Sequence, residues 1–477
     1  MNKILPLSFV ACSFILQLHA NDTVETQEQR ERLSSVKKAV QSVTQTPQKE
    51  QNSITSEPQT VSDITTENTE TKRERIPSVK KAISGVSAVE QKDIDIVWAF
   101  QHMFRDGKVT GQIRSMFSSY DNKEYTNTSA TALGGFVKYE LAQYKGFSGA
   151  VAFHTSTDID ALSSDGEKRN TELSSEQQEY EVRSETYINY NYNDKFNLRI
   201  GRQIIDTPLA DSDDIRMIPN SFQAAVADYE NESLHVTLGA LQKWQGSDAG
   251  LDDGWQKTGK DGTYFGGLSY SYNTIEMNLW VYNINGEADD ATANNSFYID
   301  VMDEFSFTET LSLHVGAQYL KQNELDKSGV KADIYGATGE LVIDNLGLNL
   351  AYNHANKQSN KQSFSGFGGG TLFTNMDSMI LDAITYDRSV DAYVAGLSYT
   401  LGDFNLLYAY GDFVGAKDST GAKAEVTEQD FGIEYSKTDE FTLAAIYTLD
   451  NDKYDNSQNG ANGGDWGNLR IFAAYNF

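Results

Sequence analysis

The chain has 477 residues, with 39 Lys and Arg against 68 Asp and Glu and a formal net charge of -29, a balance that argues against nucleic acid as a partner. Its single cysteine, Cys12, falls in the leader described below, so the mature chain has neither internal disulfides nor cysteine-based catalysis or metal binding. Beyond that leader no run of about twenty apolar residues occurs, so no spanning helix is expected, and the mean hydropathy of -0.50 resembles that of a soluble protein.

Lys3, the apolar run from Ile4 to Leu18 and the small Ala20 before Asn21 read as a secretory signal peptide over residues 1–20. Leu18 makes the cleavage site imperfect, and Cys12 permits a weak lipoprotein reading that the short apolar run before it opposes. Residues 21–92 contain no Phe, Tyr or Trp and are rich in Thr, Gln, Ser and Glu, too poor in large apolar groups to offset ordering entropy. They read as a disordered periplasmic linker. Within it Arg30 to Val43 (R-E-R-L-S-S-V-K-K-A-V-Q-S-V) is duplicated at Arg73 to Val86 (R-E-R-I-P-S-V-K-K-A-I-S-G-V). Leu33, Val36, Val40 and Val43 fall near helical spacing, so each copy can fold as a basic amphipathic helix that docks on peptidoglycan or a periplasmic protein. Duplication within a neutral spacer explains the repeat equally well. Residues 93–107 form a short lead-in.

From Asp93 onward the texture changes to aromatic-rich segments separated alternately by short turns and longer polar loops, and from residue 108 these carry the signature of an all-β, transmembrane antiparallel barrel. Strands are predicted at 108–120, 130–144, 147–157, 180–193, 196–204, 221–230, 233–245, 262–272, 274–284, 296–304, 310–322, 332–344, 346–357, 389–401, 403–413, 427–437, 440–450 and 467–477. A barrel of about 18 strands hides a lipid-facing surface in every second residue, which dilutes the hydropathy average. The even number puts both termini in the periplasm and the long loops outside. After residue 92 only Pro208 and Pro219 occur, as expected if the other backbone donors are committed to a closed ladder. The last strand alternates, with Leu469, Ile471, Ala473, Tyr475 and Phe477 outward and Arg470 and Asn476 inward. Tyr190, Tyr192, Tyr270, Tyr272, Tyr408 and Tyr410 suit interfacial girdles, though β-propensity alone also enriches tyrosine.

The segment 196–226 joins the fifth and sixth strands through the third outer loop and carries Gly201, Pro208, Arg216, Pro219 and Phe222; a second motif, S-G-F-G-G-G-T-L-F-T-N-M, spans Ser365 to Met376, and D-G-K-V-T-G-Q-I-R opens the barrel at Asp106 to Arg114. In these motifs residues 100–477 resemble the OprD-type family of outer-membrane porins. The resemblance implies an eighteen-stranded channel whose third loop folds into the lumen, narrows it and faces a ladder of basic wall residues that guides carboxylate-bearing solutes. The linker at 21–92 lies outside the pattern. Strand parity independently points Arg114, Lys138, Arg183, Arg199, His235 and Lys243 inward and Leu198, Ile200, Val236 and Leu238 to lipid, where a charge near the midplane would cost about 2–4 kcal/mol. Arg202 breaks parity and is expected at the outer rim or beside a bulge.

Opposite the wall, the constriction loop presents Asp206, Asp211, Asp213 and Asp214, the cation Arg216, and the prolines Pro208 and Pro219. Charges of both signs across a narrow gap make a transverse field that selects by charge. Ordinary interstrand salt bridges and turn-forming aspartates are the competing reading of the same residues. The aspartate spacing lacks the glycine and distal glutamate of a calcium loop, so no dedicated metal site is expected, and no cofactor. Gly366, Gly368, Gly369 and Gly370 are expected to let their loop fold over the mouth.

These readings converge on a porin of the outer membrane: a passive, water-filled channel for small hydrophilic solutes and ions, amino-acid-like or carboxylate-bearing among them, in a monomer or a homotrimer. The alternatives are a plugged barrel serving as anchor or adhesin between membrane and wall, and a barrel enzyme. Neither G-x-S-x-G nor H-E-x-x-H occurs, so an enzyme is not expected.

Overall fold

The computed structural model describes residues 91–123, 125–286, 292–454 and 464–477. The signal peptide and, except for Gln91 and Lys92, the linker with its duplicated motif lie outside the described residues. The lead-in is helical: α1 spans Gln91–Arg105 and so begins inside the stretch assigned to the linker.

The rest is one antiparallel sheet. Its strands are β1 (Lys108–Asn122), β2 (Thr128–Tyr144), β3 (Phe147–Asp158), β4 (Glu179–Tyr192), β5 (Phe196–Gln203), β6 (Ser221–Glu230) and β7 (Leu234–Gln245). A two-residue β8 (Gln256–Lys257) precedes β9 (Thr263–Tyr272), β10 (Ile275–Ile284), β11 (Asn294–Thr308), β12 (Leu311–Glu324) and β13 (Ala332–Ile343). Then follow β14 (Leu346–Ala355), β15 (Val390–Leu401), β16 (Phe404–Gly415), β17 (Ala424–Thr438), β18 (Phe441–Asp452) and β19 (Trp466–Asn476). The eighteen long strands are the eighteen predicted ones, with ends that differ by a few residues. β1 pairs with both β2 and β19, so the sheet is closed and leaves no edge to satisfy. The seam reaches the last residue, where the Phe477 and Gly111 backbones exchange hydrogen bonds of 2.9 and 3.0 Å.

Short turns and long loops alternate around the barrel, which gives it a short-turn end and a long-loop end. The short turns use Asn193, Asp194, Asn273 and Asp344 with positive φ, residue types that tolerate the left-handed region two-residue hairpins require. Along each strand one parity is exposed and apolar, as in Ile113, Val137, Ile188, Leu350, Ile433 and Ile471. The other parity is covered and largely polar, as in Gln112, Asn278, Asn349, Asp430 and Asn468. A greasy outside and a polar inside are what a barrel in lipid requires, and they invert the usual globular arrangement.

The inside is not an empty tube. Residues 159–178, 204–220 and 356–389, the second, third and seventh loops at the long-loop end, fold back inward and supply much of the buried apolar material: Leu173, Leu209, Met217, Ile218, Phe367, Phe373, Met376, Met379 and Leu381.

Candidate functional site

The third loop leaves β5 at Ile204 and first makes a tight turn in which Thr207 and Ala210 exchange backbone hydrogen bonds of 2.7 and 3.3 Å around Pro208. Pro208 fixes φ at the turn's first central position, the place proline favours. Asp206 and Asp211 fold the loop on itself, accepting from the Ser212 hydroxyl at 2.6 Å and from the Asp213 backbone N–H at 2.8 Å. Met217 and Ile218 then pack with Met116, Ala130 and Val182 of the inner wall, and Pro219 leads into β6.

Asp214 is the loop aspartate that meets a wall cation. The Arg114 guanidinium grips it with two bonds, 2.5 and 3.0 Å, and donates a third, of 2.6 Å, to the Arg216 carbonyl. Burial alone would raise the Asp214 carboxyl; the Arg114 guanidinium outweighs it and holds the group below the ordinary carboxylate value. Arg216 itself turns to Asp248, 2.9 Å away.

The third and seventh loops meet inside the barrel. The Asp211 N–H donates to the Phe367 carbonyl at 2.9 Å and the Phe367 N–H to the Leu209 carbonyl at 3.0 Å. This contact explains the glycine motif. Gly366 and Gly368 have φ of 108° and 90°, and a Cβ there would stand 2.8 Å from Leu209 Cα and 2.2 Å from the Asp211 carbonyl oxygen. The glycines therefore bring loop against loop inside the lumen, where the sequence suggested a fold over the mouth.

Beyond that contact the seventh loop crosses to the opposite wall. Asn353 accepts from Thr374; Glu428 accepts from the Ser378 and Met379 N–H groups at 2.9 and 2.7 Å; Asp377 pairs with Arg470 and accepts from the Thr448 hydroxyl at 2.9 Å.

Residues opposite one another across a ladder share a face, so the pairing registers decide which wall charges line the lumen. Arg114, Lys138 and Arg199 are inside: Arg114 by its bond to Asp214, Lys138 by its 3.2 Å pair with Glu185, and Arg199 by stacking on Tyr187. His235 is also inside, 3.2 Å from Asp228. Arg183 and Lys243 are corrections, because both face outward. Opposite Ala152 and His154 the β3–β4 register slips, so that Glu185 and Val182 both face the lumen and exposed Arg183 does not. An extra residue, Gln242, likewise opposes the step from Gln223 to Ala224, turning Trp244 inward and Lys243 outward. A bulge reverses every assignment beyond it, and strand alternation alone carries no sign of one. Arg202 sits on the outer side beside the first bulge, over the Trp255 ring at 4.3 Å, as its broken parity suggested.

No family model and no curated protein matches the sequence. Solved structures match it in shape. OccAB4 of Acinetobacter baumannii superposes with a TM-score of 0.65 at 16% identity, covering 78% of this chain and 98% of that one. OpdK of Pseudomonas aeruginosa, solved with vanillate, gives 0.64 at 15% identity, covering 79% of this chain and 99% of that one, and OccK9 (OpdG) of the same organism gives 0.64 at 13% with the same coverage. The barrel has the OprD/Occ porin fold. At these identities the likeness is one of fold, and the charges of the lumen must be read from this chain.

Those charges are mostly negative. Among the described strand residues, the inward Lys and Arg are Lys108 at the rim, Arg114, Lys138, Arg199 and Arg470. Three of them are spoken for by carboxylates: Arg114 by Asp214, Lys138 by Glu185 and Arg470 by Asp377. From β10 to β19 the same ladders point Glu276, Asp300, Glu304, Glu324, Glu340, Glu428, Asp430, Glu434, Asp450 and Asp452 inward against Arg470 alone. This acidic wall is legible in the sequence, since A-E-V-T-E-Q-D-F-G-I-E at 424–434 puts Glu428, Asp430 and Glu434 on one face. No group of acidic or histidine side chains suited to a metal ion occurs among the described residues.

Proposed function

We propose that this protein is a porin of the outer membrane: a passive, water-filled channel for small hydrophilic solutes and ions, with its termini in the periplasm and its narrowest section formed where the third and seventh loops meet. The observation that carries this reading is the closed eighteen-stranded barrel, apolar outside and charged inside, in the fold of OpdK, a protein described as an outer membrane protein.

The excess of inward carboxylates from β10 to β19 favours cations, because fixed charge in a poorly screened pore concentrates the opposite sign. The carboxylate-bearing solutes implied by resemblance to the family fit less well, since three of the five inward cations that would guide them are already paired with carboxylates. Amino-acid-like solutes with a net positive charge suit the wall better.

Planar-bilayer recording under a salt gradient, with liposome swelling on lysine, glucose and succinate, tests both levels. The expected result is a stable conductance, a reversal potential of cation-selective sign, and faster entry of lysine than of succinate. Conductance with the opposite sign would overturn the charge reading alone. A folded barrel that conducts nothing would overturn the porin and favour the plugged anchor.

A further inference from the structure

Helix α1 packs against the outside of the barrel. Ala99 is 5% exposed against β2, the Tyr139 hydroxyl donates to the Phe104 carbonyl, and the Trp98 ring meets Tyr144 edge-on at 6.3 Å. Tyr139 lies on the outward parity of β2, beside Val137, and Tyr144 borders the turn into β3, so the helix sits at the short-turn end on the lipid side of the wall.

Its other side is apolar too. Val97, Phe100 and Phe104 are 58, 56 and 57% exposed, one turn apart on the face turned away from Ala99. A helix apolar on both faces has no stable place against water. Gln101 and Arg105 are exposed on a flank, so the polar edge is narrow and lies to one side of the phenylalanines. The exposed strip continues the greasy belt of the neighbouring strands, Val109, Ile113, Val137 and Phe147. The tilted rings of Tyr190 and Phe147 meet with centroids 4.7 Å apart and Lys145 stands over the Tyr144 ring, the residue types that gather at a membrane interface.

We propose that α1 is an interfacial helix, seated on the barrel by Ala99 and Trp98 and embedded through Val97, Phe100 and Phe104 at the boundary between headgroups and acyl chains of the leaflet at the short-turn end. The inference rests on the barrel spanning a membrane. Lipid is the occupant the strip fits: eight residues of one helix offer on the order of a few hundred Å², and even with an equal area from a partner the total stays short of the roughly 1,000 Å² a stable protein interface needs. The consequence is that the long polar segment before α1 starts at the membrane surface.

The test uses the full chain with Cys12→Ser, reconstituted in vesicles carrying a doxyl quencher at acyl position 5 or 12. Phe100→Cys and Phe104→Cys are labelled with an environment-sensitive fluorophore; Leu350→Cys, on the exposed belt of β14, is the membrane control, and Leu162→Cys, in the second loop, the water control. The probes at 100 and 104 are expected to be quenched about two-fold more by the shallow than by the deep quencher, and little by aqueous iodide. Quenching by iodide alone would overturn the proposal. Protection from both quenchers together with crosslinks between two chains at position 100 would overturn it in favour of a second copy. If Leu350→Cys also escapes the lipid quenchers, the membrane-spanning barrel fails and α1's role with it.

Discussion

The third and seventh loops enter the barrel from the same end and are held there by different physics. The third loop leans on charge: it makes two ion pairs, Arg114 to Asp214 and Arg216 to Asp248, with Met217 and Ile218 as one small apolar foothold and Leu209 and Ala210 as another. The seventh carries Phe367, Leu372, Phe373, Met376, Met379, Leu381 and Ile384 into a continuous apolar cluster with Ile284, Ile334, Val390 and Phe413 of the wall. Its ion pair, Asp377 to Arg470, is one contact among many. A loop held by a charge pair responds to loss of one group; a loop held by packing responds to volume.

Arg114→Gln should break that difference open. It leaves Asp214 without its cation in a partly covered site, a loss of about 3–5 kcal/mol for such pairs. The expected outcome is a third loop cleaved by protease and a raised single-channel conductance, while the seventh loop keeps its protection. Unchanged conductance would mean that the third loop does not set the narrow section.

Leu381→Ala probes the other mechanism. Leu381 is fully buried, and truncation of such a side chain costs about 2–5 kcal/mol according to how far the site collapses. Protease sensitivity should rise in the seventh loop with little change in ion selectivity, because no charge is altered.

A smaller effect separates the loops by pH. Burial pushes the Asp382 carboxyl of the seventh loop up to about 6 from 3.8, against the hydrogen bond from Ser363. The folded loop therefore holds its proton more tightly than the unfolded one, so its packing is strongest below 3.8 and weakens as pH rises to about 6. Asp214, held low, works with the opposite sign: its contribution is present above 3.8 and is lost as pH falls through its depressed value. Limited proteolysis from well below pH 3.8 to above pH 6 should show the third loop loosening at the acid end and the seventh toward neutrality. Asp382→Asn should flatten the second dependence and leave the first.

Much of the barrel could be read from the chain because the rule that builds it is local. Alternation marks each strand, and the scarcity of proline after residue 92 marks a closed ladder. The acidic face of β17 was visible by the same rule. Arg183 and Lys243 were misassigned because a bulge is a property of two paired strands and leaves no mark on the alternation of either. The apolar character of α1 was equally open to inspection in V-W-A-F-Q-H-M-F, yet its place outside the wall depends on Tyr139 and Tyr144 of a strand thirty residues and more away.

By itself, then, the order of residues determined the architecture: strand number, the two unlike faces, the closing terminal strand and the loops rich in charge or glycine. Tertiary structure alone decided which cations face the lumen, which carboxylate each one meets, and that Gly366 and Gly368 exist to let one loop rest on another. The physical reason is range. Alternation and turn chemistry act over a few neighbouring residues, whereas register, ion pairing and loop docking are contacts between segments as far apart in the chain as Arg114 and Asp214, or Asp377 and Arg470, and no local pattern encodes them.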